Sequence, residues 1–421
     1  MIADRSDFGA VVVGASLAGC TTATLLARAG VRVALVERSR DAEAFKRVCG
    51  HYIQASAVPT LERLGLMEPI EAAGGVRSHG RLWTRWGVIE VPSDAALTRS
   101  VNLRRERLDP LVRRLAADES RVELMLGYAA KALLSDDGSV GGVEAVDPCG
   151  RRIRVRAPLV VGADGRDSRV AAMAGLPPRS SPHGRFSYAA YFEGPPPAGA
   201  PDATIWLLDP EWAAAFPTDG DLTMYGCMPT MERLPEFKRD AAGALEAFIA
   251  GLPGAPPIAQ SRRVSPVIGK IKMPNVRRGP IGAGVALVGD AALATDPLWG
   301  VGCGWAFQSG EWLADSVAAA LHGDESLERG LRRYRRRFRR GLAGHSFLID
   351  DYATGRRFNG VERLLYSAGA SDERVAARLL RFGTRSIGPM GLAPAYARAA
   401  LVHARRPASG TPALSPLALR R

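Results

Sequence analysis

Gly14-Ala15-Ser16-Leu17-Ala18-Gly19 lies between the apolar run Val11-Val12-Val13 and a helical run ending near Ala29. A buried strand that ends in a glycine turn and feeds a helix gathers the free N–H groups of the helix N-terminus at one point. That arrangement holds a pyrophosphate. Gly14 suits the tight turn, and Gly19 lets the helix lie close to the sheet. Ser16 occupies the middle position of the usual G-x-G-x-x-G pattern and is still small enough for close backbone approach. Glu37 closes a second apolar run, Val33-Ala34-Leu35-Val36, where an acid accepts bonds from ribose hydroxyls. Gly14, Ser16, Leu17, Ala18, Gly19, Glu37 and its neighbour Arg38 are therefore the candidate contacts to an adenine dinucleotide.

One glycine turn does not choose between dinucleotides. Two later segments add to it: Val160-Val161-Gly162-Ala163-Asp164-Gly165, and Leu287-Val288-Gly289-Asp290 followed by Pro297-Leu298-Trp299-Gly300-Val301-Gly302-Cys303-Gly304. With the N-terminal turn they resemble the signature of class A flavoprotein monooxygenases, the p-hydroxybenzoate hydroxylase-like family, over roughly residues 8 to 340. The resemblance implies FAD as cofactor and NAD(P)H as a transient reductant. It implies Asp290 on the ribityl hydroxyls, and Asp164 in holding FAD and in NAD(P)H use. The turn Pro297, Gly300, Gly302 opens a helix near Cys303 and Gly304 whose N-terminus faces the flavin pyrimidine. Backbone N–H groups there stabilise the charge of the reduced ring. Arg105 matches an R-x-x-L helix start on the flavin side, and Arg47 is the candidate arginine for the pyrophosphate. Departures from the family pattern are Leu293 for His, Gly304 for Asn and Ala171 for Arg.

Lys46-Arg47-Val48-Cys49-Gly50-His51 is similar to the K-x-C-G-G segment of geranylgeranyl reductase-like flavoproteins, and Ala306-Phe307-Gln308-Ser309-Gly310 to their helix. Cys49 is thereby a candidate at the flavin, with a buried inert cysteine as the alternative. His51, Tyr52 and Trp299 are the remaining pocket candidates. Each has packing as its competing reading. No catalytic residue is assigned with certainty, because in such enzymes the flavin supplies the reaction.

The elements that must position these residues read as α/β: a Rossmann-like FAD-binding domain, an inserted antiparallel β-sheet substrate domain and a helical C-terminal region. Residues 1–75, 101–180 and 276–330 are assigned to the first, 76–100 and 181–275 to the second, 331–404 to the third, and 405–421 to a flexible tail. Short β-rich runs from Phe186 to Phe192, Thr204 to Leu208 and Leu222 to Met228 mark the inserted sheet.

The chain has 421 residues, 47% of them hydrophobic, and a net charge of +13. No apolar run is long enough for a membrane span, and no secretory signal precedes the first strand. The five cysteines form no C-x-x-C, so neither a zinc site nor a disulfide framework is expected, and a reducing cytoplasm fits. Arginine supplies nearly all the positive charge, most densely over residues 331–340. A solvated basic helix is the leading reading of that run; an acidic carrier protein is the functional one. No nucleic-acid module accompanies it.

The resemblance implies a monooxygenase that uses NAD(P)H and O2 to hydroxylate or epoxidise a small organic molecule, through a flavin C4a-hydroperoxide, in secondary metabolism. Trp83, Trp86, Trp206, Trp212 and Phe216 on sheet segments point to a bulky substrate. The alternatives are a geranylgeranyl reductase-like ene-reductase, a non-catalytic FAD sensor and, more weakly, a halogenase. The halogenase motif W-x-W-x-I-P is absent.

Overall fold

The computed structural model describes residues 3–90, 99–136, 138–254 and 256–404. After a short strand at Ala3–Arg5, the chain runs through β1 (Ala10–Val13), turns into α1 (Leu17–Arg28) and returns on β2 (Val33–Glu37). An excursion places β3 (Gly80–Thr84) and β4 (Gly87–Ile89), after which α2 (Arg105–Ala117), β5 (Val122–Leu126) and β6 (Leu159–Gly162) resume the first unit. β7 (Ser187–Glu193), β8 (Ala203–Leu207), β9 (Trp212–Thr218), β10 (Leu222–Met228) and α3 (Ala241–Ala250) follow. Further along come β11 (Val285–Leu287) and the helices α4 (Val301–Leu321), α5 (Leu327–Ala353), α6 (Gly360–Gly369), α7 (Glu373–Gly383) and α8 (Ala393–Ala404).

β11, β6, β1, β2 and β5 form the parallel core of one sheet, in that order, with Ile281–Gly282 antiparallel at its edge. β1 and β6 are buried throughout. Their unbroken apolar runs suit parallel strands that are covered on both faces. α1 and α4 pack so closely on each other that a Cβ at Gly310 would lie 2.8 Å from the Ala18 carbonyl oxygen.

The second large sheet runs Arg262–Arg263, β7, β10, β9, β8, β3, β4, and Ile268–Lys270 also pairs with β7. Strict alternation splits its residues between two cores. Phe186, Tyr225 and Cys227 face α3, packing on Leu245, Phe248 and Ile249. Trp212, Phe216, Met224 and Met228 face the opposite way, toward the first unit and α6–α8. The excursion differs from the expected grouping of residues 76–100. Val76–Ser78 pairs with Ser100–Asn102, which also pairs with Tyr52–Ile53, in a small separate sheet. Of that expected block only β3 and β4 join the large sheet, because β3 runs parallel to β8. The tail expected over residues 405–421 lies outside the described residues.

The arginine-rich run falls inside α5. At helical spacing its Leu331, Tyr334, Phe338 and Leu342 are buried, and the Tyr334 hydroxyl donates to the Leu287 carbonyl at 2.7 Å. Burial of such side chains contributes about 1.5–3 kcal/mol each. Arg333 and Arg337 pair with Glu325 and Asp315 on the flank of that face. No described helix is long and apolar enough to cross a membrane, and no described cluster of side chains could hold a metal ion.

Candidate functional site

A single cleft with a cavity of about 930 Å³ runs from Glu37 and Arg38, past the α1 N-terminus, to the inner face of the large sheet. At its first end the backbone does the work. Gly14 has φ 108°, and its N–H donates to the Val36 carbonyl at 2.8 Å, fastening the turn to the end of β2. At Gly19 an added Cβ would overlap the Gly14 carbonyl oxygen, so the helix start and the turn touch directly. Ser16 is the N-cap of α1, and its side chain accepts none of the helix's amides. Those N–H groups stay available to an anion, as the sequence pattern requires. Glu37 accepts from the Ala15 N–H at 2.9 Å and the Ser39 N–H at 2.8 Å, which orients its carboxylate along the cleft rim. Leu17, Ala18 and Gly19 are buried in the α1 packing, with Leu17 and Ala18 also on the cleft wall.

A buried hub centred on Arg105 joins this end to the next. Its guanidinium donates to Ser16 Oγ at 2.9 Å, to Asp109 Oδ1 at 2.6 Å and to Cys49 Sγ at 3.4 Å. Asp109 in turn accepts from the Lys46 N–H at 2.9 Å, and Arg113 Nε donates to the Ala15 carbonyl at 3.1 Å. Asp109 and Arg113 had no place in the sequence reading. The Arg105/Asp109 spacing of four residues on one helix was the available signal.

Cys49 and Cys303 meet with their sulfurs 3.5 Å apart. The Cys303 thiol donates to Cys49, and with the Arg105 guanidinium it outweighs burial and holds the Cys49 thiol well below its ordinary range. Asp290 is engaged by Lys46 Nζ at 2.7 Å across the cleft mouth, and that ammonium holds its carboxyl below the usual range against the opposing effect of burial. Lys46, not singled out beforehand, is thus the partner of the expected ribityl ligand. Its neighbour Arg47 is exposed on the cleft rim.

Asp164 lies on the cleft, with its carboxylate turned onto the short helix Arg169–Met173. It accepts from Ser168 Oγ at 2.5 Å and from the Arg169 N–H at 2.7 Å. Ser168 caps the helix by accepting from the Ala171 N–H at 3.0 Å.

The turn from Pro297 to Gly302 leads into α4, which begins at Val301, slightly ahead of the expected start near Cys303. Gly300 takes the left-handed conformation, φ 62°, as N-cap, and a Cβ there would lie 2.5 Å from the Tyr52 ring. A Cβ on Gly302 would meet nothing within 4 Å, so the helix N-terminus opens onto free space. A buried network missing from the sequence reading fixes this turn. Asp296 accepts from the Leu298 N–H at 2.7 Å and pairs with Arg185 at 2.9 Å, both side chains being inaccessible.

Two candidates depart from their expected place. Trp299 has φ 66°, which turns its ring onto Gly383 of α7 and out of the cleft lining; Gln54 Nε2 holds its carbonyl at 3.0 Å. Gly304 also lies off the lining, facing Gln54 and Ala57. His51 and Tyr52 do line the cavity. His51, with φ 53°, stacks on Tyr191 at 5.4 Å, and the Tyr191 hydroxyl contacts its Nε2. Burial pushes the Tyr191 phenol up, so it stays protonated and donates. Tyr191 is a further site residue that no local pattern marked.

The cleft thus offers an open helix N-terminus and the strand-end acid Glu37 at one end. A second open N-terminus lies beside an acid–lysine pair further along, and this donor set fits an extended flavin dinucleotide. The profile of the FAD binding domain family matches residues 7–342. Digeranylgeranylglycerophospholipid reductase 1 of Methanopyrus kandleri is 30% identical over 353 residues, 79% of this chain and 86% of the relative. The 6-methylpretetramide 4-monooxygenase of Streptomyces rimosus is 34% identical over 185 residues, 42% of each chain. Among solved structures, the flavin-dependent brominase Bmp2 superposes with a TM-score of 0.79 at 17% identity, over 94% of this chain and 98% of that one.

Proposed function

This chain belongs to the class A FAD-binding monooxygenase family and is an FAD-dependent oxidoreductase; on that premise we propose that it uses NAD(P)H and O2 to hydroxylate or epoxidise a bulky small organic molecule. The reading is carried by the continuity of the cleft. One cavity joins the dinucleotide turn to an apolar sheet face large enough for a substrate. When bound, FAD accepts a hydride from NAD(P)H and activates O2.

The chain's own residues then have definite tasks. The α1 N-terminus and Glu37 would hold the pyrophosphate and the adenosine ribose, with Arg38 and Arg47 adding charge at the rim. Asp290, positioned by Lys46, would accept from the ribityl chain. The N-terminus of α4, opened by Gly300 and Gly302, would oppose the negative charge that the ring gains on reduction. Arg105 keeps Ser16, Cys49 and Asp109 in one register and so ties the two ends together. Trp212, Phe216, Met224 and Met228 exclude water from the reacting face. The Tyr191–His51 pair can hand a proton between the chamber wall and a substrate hydroxyl, His51 Nε2 being the accepting atom.

Placement in secondary metabolism draws support from the likeness to the 6-methylpretetramide 4-monooxygenase. A second reading, ene-reduction, is favoured by the reductase relative and by Cys49 at the junction of the cleft. NADPH oxidation across a substrate panel, with product masses, separates the two. Monooxygenation requires O2 and adds one oxygen atom. Product formed anaerobically with a gain of two hydrogens would overturn it in favour of the reductase.

A further inference from the structure

Two of the five cysteines meet on the cleft wall. Cys49 and Cys303 stand 254 residues apart in the chain, yet their sulfurs lie 3.5 Å apart, and both residues line the cavity. Arg105 Nη1 faces the pair, 3.4 Å from the Cys49 sulfur and 3.9 Å from the Cys303 sulfur. The His51 N–H adds a donor to Cys49 at 3.4 Å. Buried Cys20 and Cys227 show the contrast: burial outweighs every other influence there and pushes both thiols up. At Cys49 the donors and the guanidinium win, and the sulfur carries thiolate character. A partly exposed thiolate beside a fixed cation is the setting of a reactive cysteine. Asp109 and Ser16 already engage the Arg105 guanidinium, so a facing pair of sulfurs is not needed to hold it.

A disulfide needs its sulfurs about 2.05 Å apart, so closure asks for a shift of about 1.5 Å. The two backbones differ in how readily they yield. Cys303 lies in the first turn of α4. Cys49 lies on an irregular stretch between β2 and the strand Tyr52–Ile53, so the shift falls on that stretch and leaves the helix in place.

We propose that Cys49 and Cys303 are a peroxide-reactive pair that closes to a disulfide across the cleft, with Cys49 as the attacking sulfur and Cys303 as the resolving one. The oxidant is hydrogen peroxide. The Cys49 thiolate attacks one peroxide oxygen, the O–O bond breaks, and hydroxide leaves and takes a proton from solvent. Cys49 is then a sulfenic acid. The Cys303 sulfur attacks the Cys49 sulfur, the S–O bond breaks, and the Cys303 proton departs with the hydroxyl as water. Both sulfurs are oxidised, and the peroxide is reduced to water. The bridge removes the anion that faces Arg105 and ties the stretch carrying Lys46 and His51 to the α4 N-terminus.

The FAD-loaded full chain is reduced with dithiothreitol, freed of reductant and exposed to a small excess of hydrogen peroxide. Free thiols are then alkylated in denaturant, and the peptides are mapped by mass. The expected result is a cross-linked peptide pair joining Cys49 to Cys303 and lacking two hydrogens. Both cysteines are protected from alkylation, and both are recovered after dithiothreitol. Cys303→Ser keeps a hydrogen-bond donor but cannot bridge, so dimedone should label Cys49 about ten-fold more than in the wild type. Cys49→Ser should leave Cys303 fully alkylated. Peroxide-treated wild type with Cys49 and Cys303 still open to alkylation, or cross-linked only through Cys20, Cys149 or Cys227, overturns the proposal. So does dimedone labelling of Cys49 that is equal with and without Cys303. The wild-type map decides by itself if a variant fails to fold. It needs no turnover, so its outcome is independent of the monooxygenase reading.

Discussion

The two ends of the cleft are built by different means. The dinucleotide end is made of backbone: a glycine turn, a helix N-terminus and one acid held by two amides. The sheet end is made of side chains brought from β7, β9 and β10 by register. Backbone construction leaves no room for change, since each atom is also part of the fold. Side-chain construction allows the walls to vary while the sheet persists. The first end suits a cofactor that does not change, and the second suits a substrate that differs from one relative to another.

Four substitutions test that contrast, the most damaging first. Gly19→Val places a side chain on the Gly14 carbonyl, which cannot move without undoing the β1–β2 turn. The cost exceeds the roughly 1–3 kcal/mol of ordinary overpacking, and the expected result is insoluble or colourless protein. Yellow, stable protein would break the comparison at its strongest point. Arg105→Met strands buried Asp109 and frees Ser16, a loss of about 3–5 kcal/mol for one partner of a buried pair. A thermal melt should show it together with reduced flavin retention. At the other end, Met224→Leu keeps the volume of a wall residue and should cost less than about 1.5 kcal/mol. FAD content is expected to stay at the wild-type level while ligand preference shifts; loss of FAD here would erase the distinction between the ends.

Lys46→Met is the mildest. The Lys46 and Asp290 side chains are 48% and 24% exposed, so water screens the pair and its removal should cost under about 1 kcal/mol. Because Asp290 has a depressed pKa in the folded protein, the pair stabilises the fold above the unfolded carboxyl value of 3.8 and is lost as pH falls through the lower folded value. Urea melts of the FAD-free protein from pH 6 to pH 3 should therefore fall less steeply below about pH 4 in the variant. An unchanged acid limb would show that Lys46 does not set the Asp290 charge.

Local pattern revealed the first end and only part of the second. Gly14, Gly19 and Glu37 are legible because a turn, a helix start and a strand end are set by near neighbours. Asp290 and the Pro297–Gly302 turn are legible for the same reason. Arg105 was named from its helix start, but its contact with Ser16 spans 89 residues. The Cys49–Cys303 contact spans 254 residues and the His51–Tyr191 contact 140. Trp299 shows the limit within a recognised motif. Its position in the turn was correct, but a positive φ sends the ring to α7.

The sequence alone thus determined that the chain has a Rossmann-like FAD-binding unit, and where along the chain the glycine turns that line its cleft fall. Those properties follow from glycine sterics, apolar runs and an acid at a strand end, all within a few residues of one another. Tertiary structure alone decided that Arg105 is a buried hub, that Lys46 answers Asp290, and that Ala189, Gly226 and Ala214 lie in one row of the large sheet. Register between strands is a collective outcome of packing both sheet faces. No local stretch of sequence contains it.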